Sequence, residues 1–416
     1  MMRDETPIGL RRLRAFEAVA RCGSLSAAAQ DLRLSQPALT RSMARLEAEL
    51  GARLFDRRPE GAFATDEGAI FRRRTDRFFD QMAEAVSQAS GGRKAGSRLS
   101  ALITSAQLRA LLAIWRHGSF RAAARALALA EPSLQRPARE LEQIIGKPLY
   151  KRTAAGLAVS DVGAELARRF ALAQSEIGSA REEIGRSFAG RASLRIGVLA
   201  LAPRHLLARA TEQLLLQDRT HRVEVREGSY ATLVQELKNG GIDILIGALR
   251  TPPPLSDLMD EPLFEDPYAI VCRMGHPLLG QVDVRAHDLA PYEWIFPSEG
   301  LPRRAVLNEF LKRTKLPHVV QFETSCEATI SALLTTSDRI SILSRRHIEL
   351  DGHQALAFID GLDVAHAPRY VGLTYRASWL PTPFQSAFLK EIRTACAALT
   401  EPVARRAPAV QTGSTC

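Results

Sequence analysis

Two versions of one sequence block lie 95 residues apart, and this repeat restricts the architectures open to the chain. Gly23-Ser24 returns as Gly118-Ser119, Pro37 as Pro132 and Gly51 as Gly146, with no gap. Leu108-Arg109-Ala110, Ala122-Ala123-Ala124, Leu134, Arg136, Leu141-Glu142, Leu149-Tyr150, Arg152, Asp161 and Gly163 keep the same register. Each copy reads as two short helices joined by a tight turn. In the first copy Ser35 takes the N-cap position of the second helix, Pro37 lies in its first turn and Gly51 ends it. Leu39, Met43, Leu46 and Leu50 recur at helical spacing as an apolar stripe, and the opposite face carries Gln36, Thr40, Arg41 and Arg45.

A polar helix face of this kind is either merely solvated or meant for a partner. Gln36 and Thr40 lie one turn apart near the helix N-terminus, where a recognition helix meets base edges. Glutamine can bond adenine bidentately, and threonine can touch a thymine methyl. Leu54-Phe55-Asp56-Arg57-Arg58 then leads through Gly61 to Thr65-Asp66-Glu67-Gly68, a hairpin-like wing that places Arg57 and Arg58 beside phosphates. Residues 10–68 together resemble the N-terminal winged helix-turn-helix of LysR-type transcriptional regulators. The match runs through Leu13-Arg14-Ala15-Phe16, Gly23-Ser24, Ala27-Ala28-Ala29, Ser35-Gln36-Pro37-Ala38-Leu39, Leu46-Glu47, Leu50-Gly51, Leu54-Phe55 and Arg57. The resemblance implies DNA contacts from Ser26, Ser35, Gln36, Pro37, Thr40, Arg41, Arg45, Arg57 and Arg58.

The second copy departs from the family's usual single module. It keeps its core better than its reading face: Glu131 replaces Gln36, Gln135 replaces Thr40 and Ala130 is a poor cap. Glu131 meets phosphates with the wrong charge unless it accepts from a cytosine amino group. Pro137 falls inside the helix, where a proline costs on the order of 3 kcal/mol unless the helix bends. Gln135, Arg136, Arg139 and Arg152 are its candidate DNA contacts. The first copy is expected to supply sequence-specific binding, and the second an auxiliary contact or a structural spacer.

Charge supports a nucleic-acid partner. Residues 1–190 hold 31 Lys and Arg against 21 Asp and Glu, leaving 25 of each sign for the remainder, so the whole net charge of +10 sits in the half with the repeat. A basic half could also serve solubility alone; with the helix pattern, DNA is the better reading. No stretch is apolar enough to span a bilayer, and no signal-peptide run opens the chain. Cys22, Cys272, Cys326, Cys396 and Cys416 show no metal-ligand spacing and read as reduced thiols of a bacterial cytoplasm. No cofactor or metal is expected.

The expected order is a first module at 8–65, a connecting helix at 66–89, a linker at 90–102, a second module at 103–160, a connecting or dimerisation helix at 161–190, an effector-binding domain at 191–396 and a disordered tail at 397–416. The first connecting helix offers Ile70, Phe71, Phe78, Met82 and Val86 for packing, and its Arg72-Arg73-Arg74 reads as a solvated face or a DNA-backbone contact. Leu166, Phe170, Leu172 or Ala173, Ile177 and Ile184 form a stripe on the second, read as a dimer surface or as core within one chain. From Ser193 strands alternate with helices: Leu194–Leu199, Val223–Glu227 and Ile242–Gly247, then a second series from Tyr268–Cys272 through Trp294–Pro297, Val319–Glu323 and Ile340–Leu343, with Val371–Tyr375 returning the chain to the first lobe. Such alternation predicts parallel sheets with ligands at the strand ends. Two α/β lobes in this order resemble the effector domain of LysR-type regulators, which shares the type II periplasmic-binding-protein fold.

The loops expected to line the cleft are Leu199, Ala200, Leu201 and Ala202; Glu227, Gly228 and Ser229; Gly247 and Ala248; Pro297 and Ser298; and Thr324 and Ser325. Hydroxyls, backbone N–H groups and helix N-termini suit a small organic acid. The first loop is apolar where the family carries hydroxyls, which argues against a tightly held carboxylate there and leaves a sugar-derived metabolite open. Asp243 and His276 read as structural, since neither has an identifiable catalytic partner.

The resemblance implies a regulator that binds a pseudo-palindromic promoter site in double-stranded DNA as a homodimer or homotetramer. It contacts RNA polymerase and answers to a small-molecule effector. An enzyme on the α/β half and an architectural nucleoid protein are the other classes. The first lacks a nucleophile–base–orienter set, a metal cluster or a phosphate loop, and footprinting separates the second.

Overall fold

The computed structural model describes residues 8–92, 96–153, 156–184, 192–200, 202–217, 219–250, 257–365 and 368–400. Residues 1–7, Leu201 and the segment at 401–416 lie outside them. The chain divides into two compact units that part between Ala192 and Ser193.

In the first unit, α1 (Leu10–Cys22), α2 (Leu25–Asp31) and α3 (Gln36–Leu50) precede the antiparallel ribbon β1 (Phe55–Arg58) and β2 (Gly61–Ala64), then α4 (Asp66–Ser90). A short α5 (Gly96–Leu102) packs on α4. The plan then repeats as α6 (Ser105–His117), α7 (Phe120–Ala126), α8 (Glu131–Ile145), β3 (Tyr150–Thr153), β4 (Gly156–Val159) and α9 (Asp161–Ile184).

The same devices hold each copy. Ser24 and Ser119 accept from the N–H three residues on and start α2 and α7. Glu47 Oε1 accepts from the N–H groups of Leu54 and Phe55, and Glu142 Oε1 from those of Leu149 and Tyr150, so one carboxylate fastens each wing to its recognition helix. Thr65 and Ser160 cap α4 and α9 at Gly68 and Gly163, where a Cβ would stand 2.0 Å from Leu54 O and 2.2 Å from Leu149 O. Only glycine permits that approach.

These elements bear on four expectations. The segment expected as a linker contains α5, whose end is held by Arg14 donating to the carbonyls of Ser100 and Ile103 at 2.9 Å. Ser35 takes the N-cap position of α3 without a side-chain bond to the helix. Pro137 lies within a continuous α8; it falls in the second turn, so the carbonyl it leaves unbonded lies near the helix start. Of the two readings of the α9 stripe, the core within one chain is the one seen: Leu166, Phe170, Ala173 and Ile177 bury with Phe71, Phe78, Met82 and Val86 of α4.

In the second unit a five-stranded sheet runs in the order β6 (Arg222–Glu227), β5 (Ser193–Val198), β7 (Ile244–Ala248), β14 (Tyr370–Arg376) and β8 (Leu258–Glu265). The strands β5, β6 and β7 are parallel, through α10 (Arg204–Gln217) and α11 (Tyr230–Lys238), whereas β14 returns antiparallel to both neighbours. The second lobe departs from the expected parallel order. Its β9 (Tyr268–Arg273) pairs antiparallel with β12 (Ser341–Ser344) and β13 (Leu356–Ile359), while the short β10 (Ile295–Phe296) and β11 (Phe322–Glu323) run parallel, as does the bridge between Trp294 and Ile340. This lobe also contains α12 (Pro302–Thr314), α13 (Glu327–Thr336) and α14 (Arg345–Leu350); α15 (Pro383–Thr400) packs on α10, so residues expected as the start of a tail are helical. Among the described residues no helix is long and apolar enough to cross a membrane.

Candidate nucleic-acid interface and ligand cleft

Burial of Leu39, Met43, Leu46 and Leu50 fixes the rotation of α3. Ser35, Gln36, Pro37, Arg41 and Arg45 are therefore exposed at its start and along one side, with Thr40 half-buried and Ser26 exposed on α2. Gln36 and Arg41 make no side-chain hydrogen bond or ion pair among the described residues, whereas Arg45 lies 3.7 Å from Glu49. On the ribbon, Arg57 stands 3.8 Å from Glu47 and Arg58 3.9 Å from Asp56. These exposed pairs are weak and can be traded for phosphates. Arg58 also covers Phe63, an exposed wing aromatic that alternation along so short a strand did not single out.

In the second copy Arg136, Arg139 and Arg152 are exposed and Gln135 is half-buried. Arg136 donates to Glu140 at 3.0 Å. Where the first copy has Ser26 and Gln36, the second has Arg121 and Glu131, 3.6 Å apart. Sequence reasoning missed Arg121, although the 95-residue offset places it at the position of Ser26. In the arginine run at 72–74, Arg72 and Arg73 are exposed, whereas Arg74 departs from the expected solvated face. Arg74 is 1% exposed between Glu176 and Glu183, Arg73 pairs with Glu183 at 2.8 Å, and Arg72 lies 3.8 Å from Asp76.

In the second unit the expected lining falls into two groups. On one lobe Leu199 packs over Gly247, and its N–H donates to Ile246. On the other, Thr324 N–H donates to Phe296, which brings Thr324 and Ser325 beside Pro297 and Ser298. Ser229 is engaged locally, capping α11 through Thr232. The start of α10 holds a carboxylate of the chain: Asp351 accepts from His205 N–H at 3.0 Å and Arg204 N–H at 3.4 Å. Arg204 itself spans Glu227 at 3.6 Å and Glu327 at 3.0 Å. A cavity of 240 Å³ between α10 and α15, lined by Arg209, Gln213 and Glu391 among others, contains none of these residues.

Sequence reasoning missed two features of this region. Arg303, in the first turn of α12, is 4% exposed yet makes no hydrogen bond or ion pair among the described residues. Burial pulls its pKa down to about 10, partly offset by Tyr268 and Glu327. The second is a cluster around His347, which is fully buried with Nε2 2.6 Å from Glu327 and Nδ1 2.9 Å from Asp351. Burial opposes its charge, but the two carboxylates outweigh burial and hold the imidazolium up to about 9. His353 adds a third possible ligand atom, so Glu327, His347 and His353 are the cluster among the described residues that could hold a metal ion. Asp243 and His276 are structural. Asp243 pairs with Arg195 at 2.7 Å, and His276 Nδ1 accepts from Leu278 N–H.

Comparisons with known proteins agree with this layout. The bacterial regulatory helix-turn-helix of the lysR family matches residues 10–69 and again 105–164, and the LysR substrate binding domain matches 189–397. The transcriptional regulator GalR of Pseudomonas putida is 28% identical over 388 residues, covering 92% of this chain and 96% of GalR. PcaQ of Agrobacterium fabrum is 27% identical over 296 residues, 70% of this chain and 94% of PcaQ. A full-length OxyR point variant from Pseudomonas aeruginosa shares the fold, with a TM-score of 0.50 at 18% identity over 70% of this chain and 93% of that one. Members of this family are DNA-binding, effector-responsive regulators that form oligomers. The chain belongs to the LysR family of transcriptional regulators and carries the family's DNA-binding module twice.

Proposed function

We propose that the first module reads promoter DNA through Gln36, Thr40 and Arg41, with Ser26, Ser35, Pro37, Arg45, Arg57 and Arg58 at the flanking backbone. The observation that carries this reading is an exposed start of α3 whose Gln36 and Arg41 make no ion pair or side-chain bond among the described residues, while the rest of the helix is fixed by burial. Gln135, Arg136, Arg139 and Arg152 contribute less, since Glu131 and Glu140 compete for the neighbouring guanidiniums. The regulator acts in the bacterial cytoplasm on the nucleoid as a homodimer or homotetramer, and its bound pose governs contact with RNA polymerase. A gel-shift titration at fixed salt tests the assignment. Alanine at Gln36 and Arg41 abolishes operator binding, whereas alanine at Gln135 and Arg136 weakens it much less; the reverse ranking refutes it.

The effector is a small organic acid that meets Arg303 beside Ser298, Thr324 and Ser325. A buried guanidinium without a partner is costly, and a ligand carboxylate would satisfy it bidentately. Leu199, Ala200, Ala202, Gly247 and Ala248 form the apolar wall, with Glu227, Gly228 and Ser229 at the rim. Arg303→Met should leave operator affinity intact and remove the response to the organic acid. A response undiminished in the variant rules Arg303 out.

A further inference from the structure

Two residues that occupy the same place in the two copies touch each other, and this happens twice. Leu10 N–H donates to Ser105 Oγ at 2.9 Å, and Gln81 Nε2 donates to Glu176 Oε1 at 3.0 Å; both pairs are 95 residues apart. Copies related by translation along the chain would not bring a position onto its own equivalent, whereas a two-fold axis does so wherever it passes. The off-axis pairs obey the same operator. Arg73 and Arg74, early in α4, meet Glu183 late in α9, while Arg169, the equivalent of Arg74 early in α9, stands 3.5 Å from Glu84 late in α4. The two long helices therefore run antiparallel about an internal pseudo-dyad.

The pairing is also specific. Glu176 and Glu183 have Gln81 and Gln88 as equivalents, so the carboxylates that receive Arg74 exist only on α9. Two copies of α4 from different chains would face Arg74 with glutamines and leave a buried guanidinium without an anion, which disfavours that pairing. The connection between the copies is short, and its α5 lies along α4, so the matching helix is supplied at high local concentration by the same chain.

We infer that one chain is by itself a two-headed reader of duplex DNA, taking a site whose two halves are inverted in orientation but different in sequence. One head is the face of Gln36, Thr40 and Arg41. The other presents Arg121, Gln135 and Arg136 two-fold related to it, as the dyad of duplex DNA requires of paired helix-turn-helix units. This rests on the DNA-reading role proposed above.

Two experiments test it, and each separates its failure from failure of that role. Full-length protein is used to select sites from random duplexes. Two unlike inverted halves are expected, with Gln36→Ala relaxing preference in one half only, by roughly tenfold or more, and Arg136→Ala in the other half only, by less. An inverted repeat of a single half-site, or a lone half-site, overturns the inference; no enriched sequence at all overturns the DNA-reading role instead. The second uses the partly exposed pair Glu84→Cys and Arg169→Cys with a short bismaleimide, the parent protein serving as control for native cysteines. Cross-linking within a single-chain mass is expected, and a doubled mass dependent on both cysteines overturns pairing within the chain.

Discussion

Replacing Arg74 by alanine removes the cation from an enclosed charge cluster between α4 and α9. Its Nη1 lies 2.7 Å from Glu176 and its Nε donates to Glu183 at 2.8 Å, and the two carboxylates are 7% and 2% exposed. After the substitution Glu176 keeps Arg77 at 3.0 Å and Glu183 keeps Arg73 at 2.8 Å, both from more solvated positions. Removing one partner of a buried pair costs about 3–5 kcal/mol. The remaining arginines place this case at the lower end, and at roughly 2–4 °C per kcal/mol for a unit of this size the midpoint should fall by about 6–12 °C. Calorimetry of the full chain measures it, with Arg136→Ala alongside. That exposed i,i+4 pair with Glu140 is worth only about 0.3–0.5 kcal/mol, a shift of about 2 °C at most. Joint replacement by Arg74→Met, Glu176→Leu and Glu183→Leu should recover much of the loss, because apolar side chains need no counter-charge. An Arg74→Ala midpoint as close to the parent as that of Arg136→Ala would refute the reasoning.

Gly68→Ala or Gly163→Ala should cost about 1–3 kcal/mol each, since the added methyl meets a wing carbonyl at 2.0 or 2.2 Å; a thermal melt indistinguishable from the parent would contradict that geometry. His347 carries a pKa raised to about 9 against 6.5 for the free group, so its stabilisation is complete below about pH 6.5 and is lost as pH climbs through 9. Unfolding midpoints of the second unit should decline over that window and should lose this slope in His347→Gln; an unchanged slope speaks against the charged bridge. Cys326, exposed at the start of α13, has its thiol pKa lowered by hydrogen bonds from Thr329, while burial pushes Cys272 up to about 11 and Cys396 to about 12. Mass-spectrometric mapping of brief alkylation at neutral pH should therefore find Cys326 well ahead of the other two.

Local rules made much of the first unit legible. The Ser–x–x caps, the terminal glycines and the apolar stripe of α3 are short-range, and 95-residue periodicity doubled the information available for each. The contact of α4 with α9 was not legible, because an apolar helix face looks the same whether its partner belongs to this chain or another. Arg74 illustrates the point: inside a run of three arginines it reads as surface, and only Glu176 and Glu183, a hundred residues away, make its burial tolerable. In the second unit the parallel strand β7 declared itself as an unbroken apolar run, whereas β8, with Asp260, Glu261 and Pro262 in it, did not. Strand ends suggest which loops to consider for a cleft, but Arg303 and the Asp351 bond to α10 depend on tertiary proximity that sequence spacing does not encode.

Holding both winged modules in one polypeptide has an evolutionary consequence. In a homodimer each substitution in a recognition helix is written into both heads at once, so a change in preference must suit both ends of the operator together. Here α3 and α8 are encoded separately. Either helix can change while its sibling stays as it is, and the position held by Gln36 in one copy is already held by Glu131 in the other.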